Sequence, residues 1–346
     1  VVHLPREIIG GFAMLLPTRR SCLATLVAIA VVASGTFAQP AARKFTIGYS
    51  QCNRGEPWRE QMDKDIEAQC LARSENKGRA ASDAGGDTPV KLDLQMKDAQ
   101  NEASRQMAHV KEFVNARVDL IIISPKDDSL TPAIAEAFDA GIPVIILDRA
   151  VQGEKYTCFI GADNRLIGAQ VGKWVVEKLK GKGNVVELKG LTSSQPSLDR
   201  SEPFRKALES TQIKVVYDAD MEWLSDIARE KMQAALSRNP RKGSISLVYG
   251  ANDPAAIAAY NAARDAGREK EMIFVGVDAL PHEGVEAVRK GILHATFEYP
   301  NGADRAVDSA VKILTGKASD VPRKIVLGTR LFTKDNVEKG GEEIKP

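Results

Sequence analysis

Ten residues suited to gripping a polar ligand recur at one kind of place in this sequence, the end of a candidate strand or the start of the following helix. They are Trp58, Arg59, Ser124, Asp148, Arg149, Asn164, Arg200, Trp223, Asn252 and Asp278, with Asp253 beside Asn252. A carboxylate accepts hydrogen bonds from hydroxyls, and a guanidinium donates several in a fixed fork. An indole ring offers a flat apolar face and one N–H. Sugars match this mixture, because their hydroxyls both donate and accept and their C–H faces lie against aromatic rings. Each residue alone has an ordinary explanation. Asn164, Asn252 and Asp278 suit helix N-caps, Trp58 suits a core, Arg200 suits a solvated helix, and Asp148–Arg149 suits a surface ion pair. Their recurrence points instead to one crevice.

Gathering them requires a repeated strand–helix alternation. Pro143-Val144-Ile145-Ile146-Leu147-Asp148-Arg149-Ala150 is a continuous apolar run ending in an acid and a base. It reads as a strand buried on both faces, with the charged pair at its carboxyl end. In open parallel sheets, ligands bind in the crevice beyond those ends. Strands are also expected at 45–50, 90–96, 120–123, 158–161, 184–188, 214–217, 246–249, 272–277 and 294–297. Helices are expected between them, at 57–71, 101–116, 130–140, 164–179, 197–210, 225–238 and 284–290, and then at 301–314. Pro254 fits the first turn of a further helix after Asn252-Asp253. This order predicts an α/β fold of two similar Rossmann-like lobes. Residues 74–89 are polar and aperiodic, as in a surface loop.

The 346 residues are enough for two lobes with real cores, and 43% hydrophobic with 27% charged is a globular composition. Thr18-Arg19-Arg20 followed by the apolar run Cys22–Ala33 and small residues at Thr36 and Ala38 has the order of an export signal. Residues 1–38 are therefore expected to be removed, with Met14 a plausible start. Thr18–Leu23 loosely matches a twin-arginine signal, but ordinary secretion is the better reading. The remainder carries 45 basic and 45 acidic residues, which favours neither nucleic acid nor an anionic membrane as partner. It also holds three cysteines, Cys52, Cys70 and Cys158, so at least one stays unpaired. A Cys52–Cys70 disulfide is not expected, since the two lie at opposite ends of one helix.

Signals for catalysis are thin. His109, His282 and His294 neighbour no Ser or Cys motif. No GxSxG, GxGxxG, Walker A, HExxH or calcium-loop pattern occurs, so no cofactor or metal is expected. Asp83 and Asp87 fit a solvated loop better than a cation site.

The residues from about 44 onward carry a family likeness. Pro57-Trp58-Arg59, Ile123-Ser124-Pro125, Pro143–Arg149, Gly161-Ala162-Asp163-Asn164, Val186–Gly190, Asp199-Arg200, Asn252-Asp253 and Gly276-Val277-Asp278 follow in order. The chain thereby resembles the periplasmic sugar-binding proteins of bacterial ABC transporters, in the ribose- and galactose-binding class. Trp58-Arg59 and Ser193…Asp199-Arg200 look most like the galactofuranose-binding branch. The resemblance implies a type I periplasmic binding protein fold, with parallel sheets and a three-strand hinge crossing near Gly161–Ala162, Tyr299 and Leu327. It implies an N-terminal lobe of 44–161 plus 299–327 and a C-terminal lobe of 162–298 plus 328–346. By the same resemblance Trp58 stacks on a sugar ring. Arg59, Asp148, Arg149, Arg200, Asn252 and Asp278 bond its hydroxyls, Ser124 and Trp223 line the site, and Asn164 lies beside a crossing. The family often has Gln near the second crossing; here Glu298-Tyr299 stands, and either side chain is a candidate to face the ligand.

The expected function is that of an exported, monomeric binding protein that delivers a monosaccharide to an ABC transporter permease. A periplasmic sensor feeding a chemoreceptor or histidine kinase is the alternative. A glycosidase built on Asp148 and Asp278 is disfavoured, because Arg149 beside Asp148 opposes a raised pKa there.

Overall fold

The computed structural model describes residues 42–75 and 90–345. The expected export signal, most of the polar stretch 74–89, and Asp83 and Asp87 lie outside the described residues.

Thirteen strands and nine α-helices follow one another among the described residues. In order they are β1 (Arg43–Gln51), α1 (Pro57–Ser74), β2 (Val90–Asp98), α2 (Ala103–Asn115), β3 (Leu120–Ser124), α3 (Thr131–Asp139), β4 (Val144–Leu147) and β5 (Cys158–Ala162). Then come α4 (Asn164–Lys178), β6 (Lys182–Lys189), α5 (Gln195–Leu208), β7 (Gln212–Asp220), α6 (Ser225–Arg238), β8 (Leu247–Gly250) and α7 (Asp253–Asp265). The chain ends with β9 (Ile273–Asp278), α8 (Gly284–Arg289), β10 (Ala295–Glu298), α9 (Ala303–Leu314), β11 (Lys324–Leu327), β12 (Thr329–Thr333) and β13 (Glu342–Ile344).

The strands form two sheets. One has the order β2-β1-β3-β4-β5-β11 and is wholly parallel. The other has the order β7-β6-β8-β9-β10-β12-β13. Its first five strands are parallel, β12 runs antiparallel to β10, and β13 runs antiparallel to β12. The expected parallel sheets are present, with two antiparallel pairings added at that edge. β11 runs towards the space between the sheets, and only Gly328 separates it from β12. A strand that enters the second sheet from its carboxyl edge has to run against its neighbours.

The continuous apolar runs are central strands. Leu120–Ile123 and Val144–Leu147 are fully buried, as helices on both sheet faces require. The chain passes between the sheets after β5, after β10 and after β11. Beyond the second passage α9 packs on α1, and beyond the first α4 packs on α5. That second contact depends on a missing side chain: a Cβ at Gly168 would lie 2.2 Å from Arg200 O. Glycine there lets α4 approach α5 closely, and Arg200 is held against Asn164 as a result. Cys52, Cys70 and Cys158 are buried and free.

Candidate functional site

A narrow cavity of about 30 Å³ opens at the carboxyl ends of strands from both sheets. Eight of the ten expected residues line it: Trp58, Arg59, Asp148, Arg149, Arg200, Trp223, Asn252 and Asp278. Glu56, Pro196 and Tyr299 complete the wall. Ser124 and Asn164 stand behind it as supports. Ser124 Oγ accepts from Arg59 Nη1 at 3.0 Å, and Asn164 Oδ1 accepts from Arg200 Nε at 2.8 Å. All ten are buried.

The local backbone explains how these side chains reach the cavity. Arg149 N donates to Leu147 O at 2.9 Å across a three-residue turn, with Asp148 at φ 68°. Trp223 follows β7 at φ 67°, and Asp278 ends β9 at φ 127°. Such conformations are uncommon for residues with a Cβ and cost roughly 1–3 kcal/mol each. Asp253 holds the last of them. Its Oδ2 accepts from Ala279 N at 2.7 Å and its Oδ1 from Thr296 Oγ1 at 2.6 Å. Trp223 packs against Gly190, where a Cβ would come within 2.3 Å of the ring.

The helix-cap reading holds for one residue of three. Asn252 Oδ1 accepts from Ala255 N at 3.0 Å and caps α7, and its Nδ2 donates to Trp223 O at 3.2 Å. Asp163, not Asn164, caps α4 by accepting from Leu166 N at 2.9 Å. Asp278 caps nothing. Its carboxylate makes no hydrogen bond or ion pair among the described residues, although it is buried in the cavity wall.

Asp148 differs in every respect. Its main partner is not the adjacent Arg149 but Arg59, whose Nη2 donates to Oδ2 at 2.8 Å. Arg149 Nε lies 3.7 Å from the same oxygen, while its Nη1 donates to Lys126 O at 2.7 Å. Tyr299 Oη donates to Asp148 Oδ1 at 2.5 Å. Burial alone pushes the Asp148 carboxyl up, but Arg59, Arg149 and the Tyr299 bond together bring it below the ordinary carboxylate range. Asp278 is pushed well above that range by burial; Asp253 and Glu283 add to the rise, and Arg200 opposes it.

The cations meet aromatic rings. Arg200 Cζ lies 4.3 Å from the Tyr299 ring centre and 5.4 Å from that of Trp223. Arg59 Cζ lies 5.5 Å from that of Trp58. Three buried donors in the wall have no hydrogen-bond partner among the described residues: Arg59 Nε, Arg149 Nε and Trp223 Nε1. Buried polar groups are normally satisfied, so unpaired donors and an unpaired carboxylate around one cavity mark a place for a polar ligand.

Sequence reasoning missed Glu56 and Pro196, which carry no signal beyond standing next to named segments. Of the pair left open, Tyr299 faces the cavity, whereas Glu298 is turned towards Arg330.

Known proteins share this arrangement of sheets. The chain is 28% identical over 330 residues to the galactofuranose-binding protein of Escherichia coli (strain K12), covering 92% of this chain and 98% of that protein. It is similar to the fructose-binding periplasmic domain of a hybrid two-component system, with 38% identity and a TM-score of 0.75, covering 86% and 93% of the two chains. It is also similar to a solved galactofuranose-binding protein, with 26% identity and a TM-score of 0.75, covering 85% and 96%. These relatives are solute-binding proteins, not enzymes. The family model for the periplasmic binding protein domain matches residues 47–318, and the chain belongs to that family.

Proposed function

We propose that the protein captures a monosaccharide in the cavity between its two sheets and delivers it to an ABC transporter permease in the periplasm. The observation that carries this reading is the pairing of unspent polar groups with aromatic faces in one buried cavity. Asp278 offers acceptors, Arg149 and Trp223 offer donors, and Trp58 and Trp223 offer rings. A sugar hydroxyl satisfies an acceptor and a donor at once. Galactofuranose- and fructose-binding relatives support the ligand class.

In this reading 44–161 with 299–327 and 162–298 with 328–346 act as two lobes. Ligand contacts from both lobes favour the closed form by differential affinity, and the permease distinguishes that form. The protein acts as a monomer after removal of residues 1–38, and the ten expected residues together with Tyr299 make up the binding site.

A thermal-shift screen against pentoses, hexoses and sugar acids tests this reading. A ligand that binds only the folded state raises the Tm by mass action. A hit among neutral sugars supports it, and no hit at millimolar concentration contradicts it. A second reading, periplasmic sensing, is favoured by the likeness to the domain of a hybrid two-component system. Co-purification with a permease separates it from transport.

A further inference from the structure

Tyr299 stands where the chain passes from β10 to α9, and it touches half of the expected site. Its Oη donates to Asp148 Oδ1 at 2.5 Å and accepts from Asn164 Nδ2 at 3.3 Å. Its carbonyl accepts from Trp58 Nε1 at 2.6 Å, and its N–H donates to Asp278 O at 3.1 Å. Its ring centre lies 5.0 Å from that of Trp58 and 4.3 Å from Arg200 Cζ. One hydrogen-bonded chain therefore runs through the site. It leads from Arg59 to Asp148, Tyr299, Asn164 and Arg200, and ends where Arg200 Nη1 donates to Ala251 O at 2.6 Å.

The acceptors are divided unequally along this chain. Both Asp148 oxygens are taken by the protein, Oδ1 by Tyr299 and Oδ2 by Arg59. Both Asp278 oxygens are free of protein partners among the described residues. The Tyr299 hydroxyl spends its one proton on Asp148, and its ring occupies the cavity wall on the crossing side.

We propose that Tyr299 is a specificity-determining residue: by taking Asp148 Oδ1 and the space beside it, it limits the ligand's bulk on the crossing side and leaves Asp278 as the carboxylate for ligand hydroxyls. This rests on the sugar-binding reading above. A shorter side chain opens that space and returns Asp148 Oδ1 to the ligand, so bulkier sugars gain relative to smaller ones.

The test is calorimetric titration of wild type, Tyr299→Phe and Tyr299→Gln with L-arabinose, D-ribose, D-galactose and D-fructose. L-Arabinose and D-galactose differ by one hydroxymethyl group in their pyranose forms. In Tyr299→Gln the hexose-to-pentose affinity ratio rises about tenfold or more over wild type, the scale on which one small group is discriminated. Tyr299→Phe keeps the ring's packing and shifts the ratio in the same sense by about threefold. Ratios that fall, or that stay within about twofold while all affinities scale together, overturn this inference alone and leave Tyr299 a structural residue. A wild-type chain that binds none of the four overturns both this inference and the reading it rests on.

Discussion

Arg59 Nη2 and Asp148 Oδ2 lie 2.8 Å apart, and each side chain is no more than 3% exposed. They come from α1 and from the turn after β4, 89 residues apart in sequence, and they tie the start of that helix to the end of that strand in the cavity wall. A buried pair of this kind is costly to break on one side, because the survivor keeps its charge without its partner. Arg59→Ala is expected to destabilise the protein by about 3–5 kcal/mol in urea denaturation. A loss under about 1 kcal/mol, the scale of an exposed pair, would mean that water reaches Asp148.

Asp278 predicts the opposite division between stability and function. It is buried, its carboxyl is pushed up by burial, and no protein donor depends on it. Asp278→Asn removes a carboxyl whose charged form burial disfavours, so the Tm is expected to hold or rise. Ligand affinity is expected to fall by about 0.5–1.5 kcal/mol, the scale of one hydrogen bond. Unchanged affinity together with a lower Tm would make Asp278 a structural residue.

Glu283 gives a pH dependence. Its carboxyl is pushed up to about 7 by burial, and Oε2 has no hydrogen-bond partner among the described residues. The unfolded chain releases this proton near the ordinary value of about 4.3. The contribution to stability is therefore complete below that value and is lost as pH rises through about 7. Glu283→Gln should be more stable than wild type at pH above 7, and the difference should close towards pH 4. Melting curves across that range check it, and a difference that does not vary with pH would contradict it.

Gly168→Ala tests how the helices position Arg200. The added Cβ meets Arg200 O, a backbone atom that cannot swing aside. Separation of α4 from α5 should cost about 1–3 kcal/mol of stability and weaken binding through the Asn164–Arg200 contact. Full stability with full binding would show that the two helices have slack.

Much of this was legible in the sequence for a physical reason. Runs such as Leu120–Ile123 and Val144–Leu147 are apolar on every side because both sheet faces are covered, so they read as strands without a fold in hand. The recurrence of polar residues after such runs placed eight of ten side chains on the cavity. The C-terminal strands were not legible. Lys324–Leu327 and Glu342–Ile344 are short edge strands, partly or largely exposed; the first holds only the three apolar residues Ile325-Val326-Leu327, and the second only Ile344. Partner choice was also hidden. Asp148 and Arg149 are neighbours in sequence, but the positive-φ turn at Asp148 orients the carboxylate towards Arg59 and Tyr299. Asn164 and Asp163 are equally good caps by type, and only the geometry of α4 assigns the role to Asp163.

The most direct measurement is calorimetric titration of the purified protein with neutral pentoses and hexoses at neutral pH, with Asp278→Asn in parallel. One-to-one binding of at least one monosaccharide to wild type, with weaker binding to a folded Asp278→Asn variant, is the expected result. No heat from any neutral sugar at millimolar concentration, or equal affinity in the two proteins, would contradict a sugar site built on the unpaired carboxylate between the sheets.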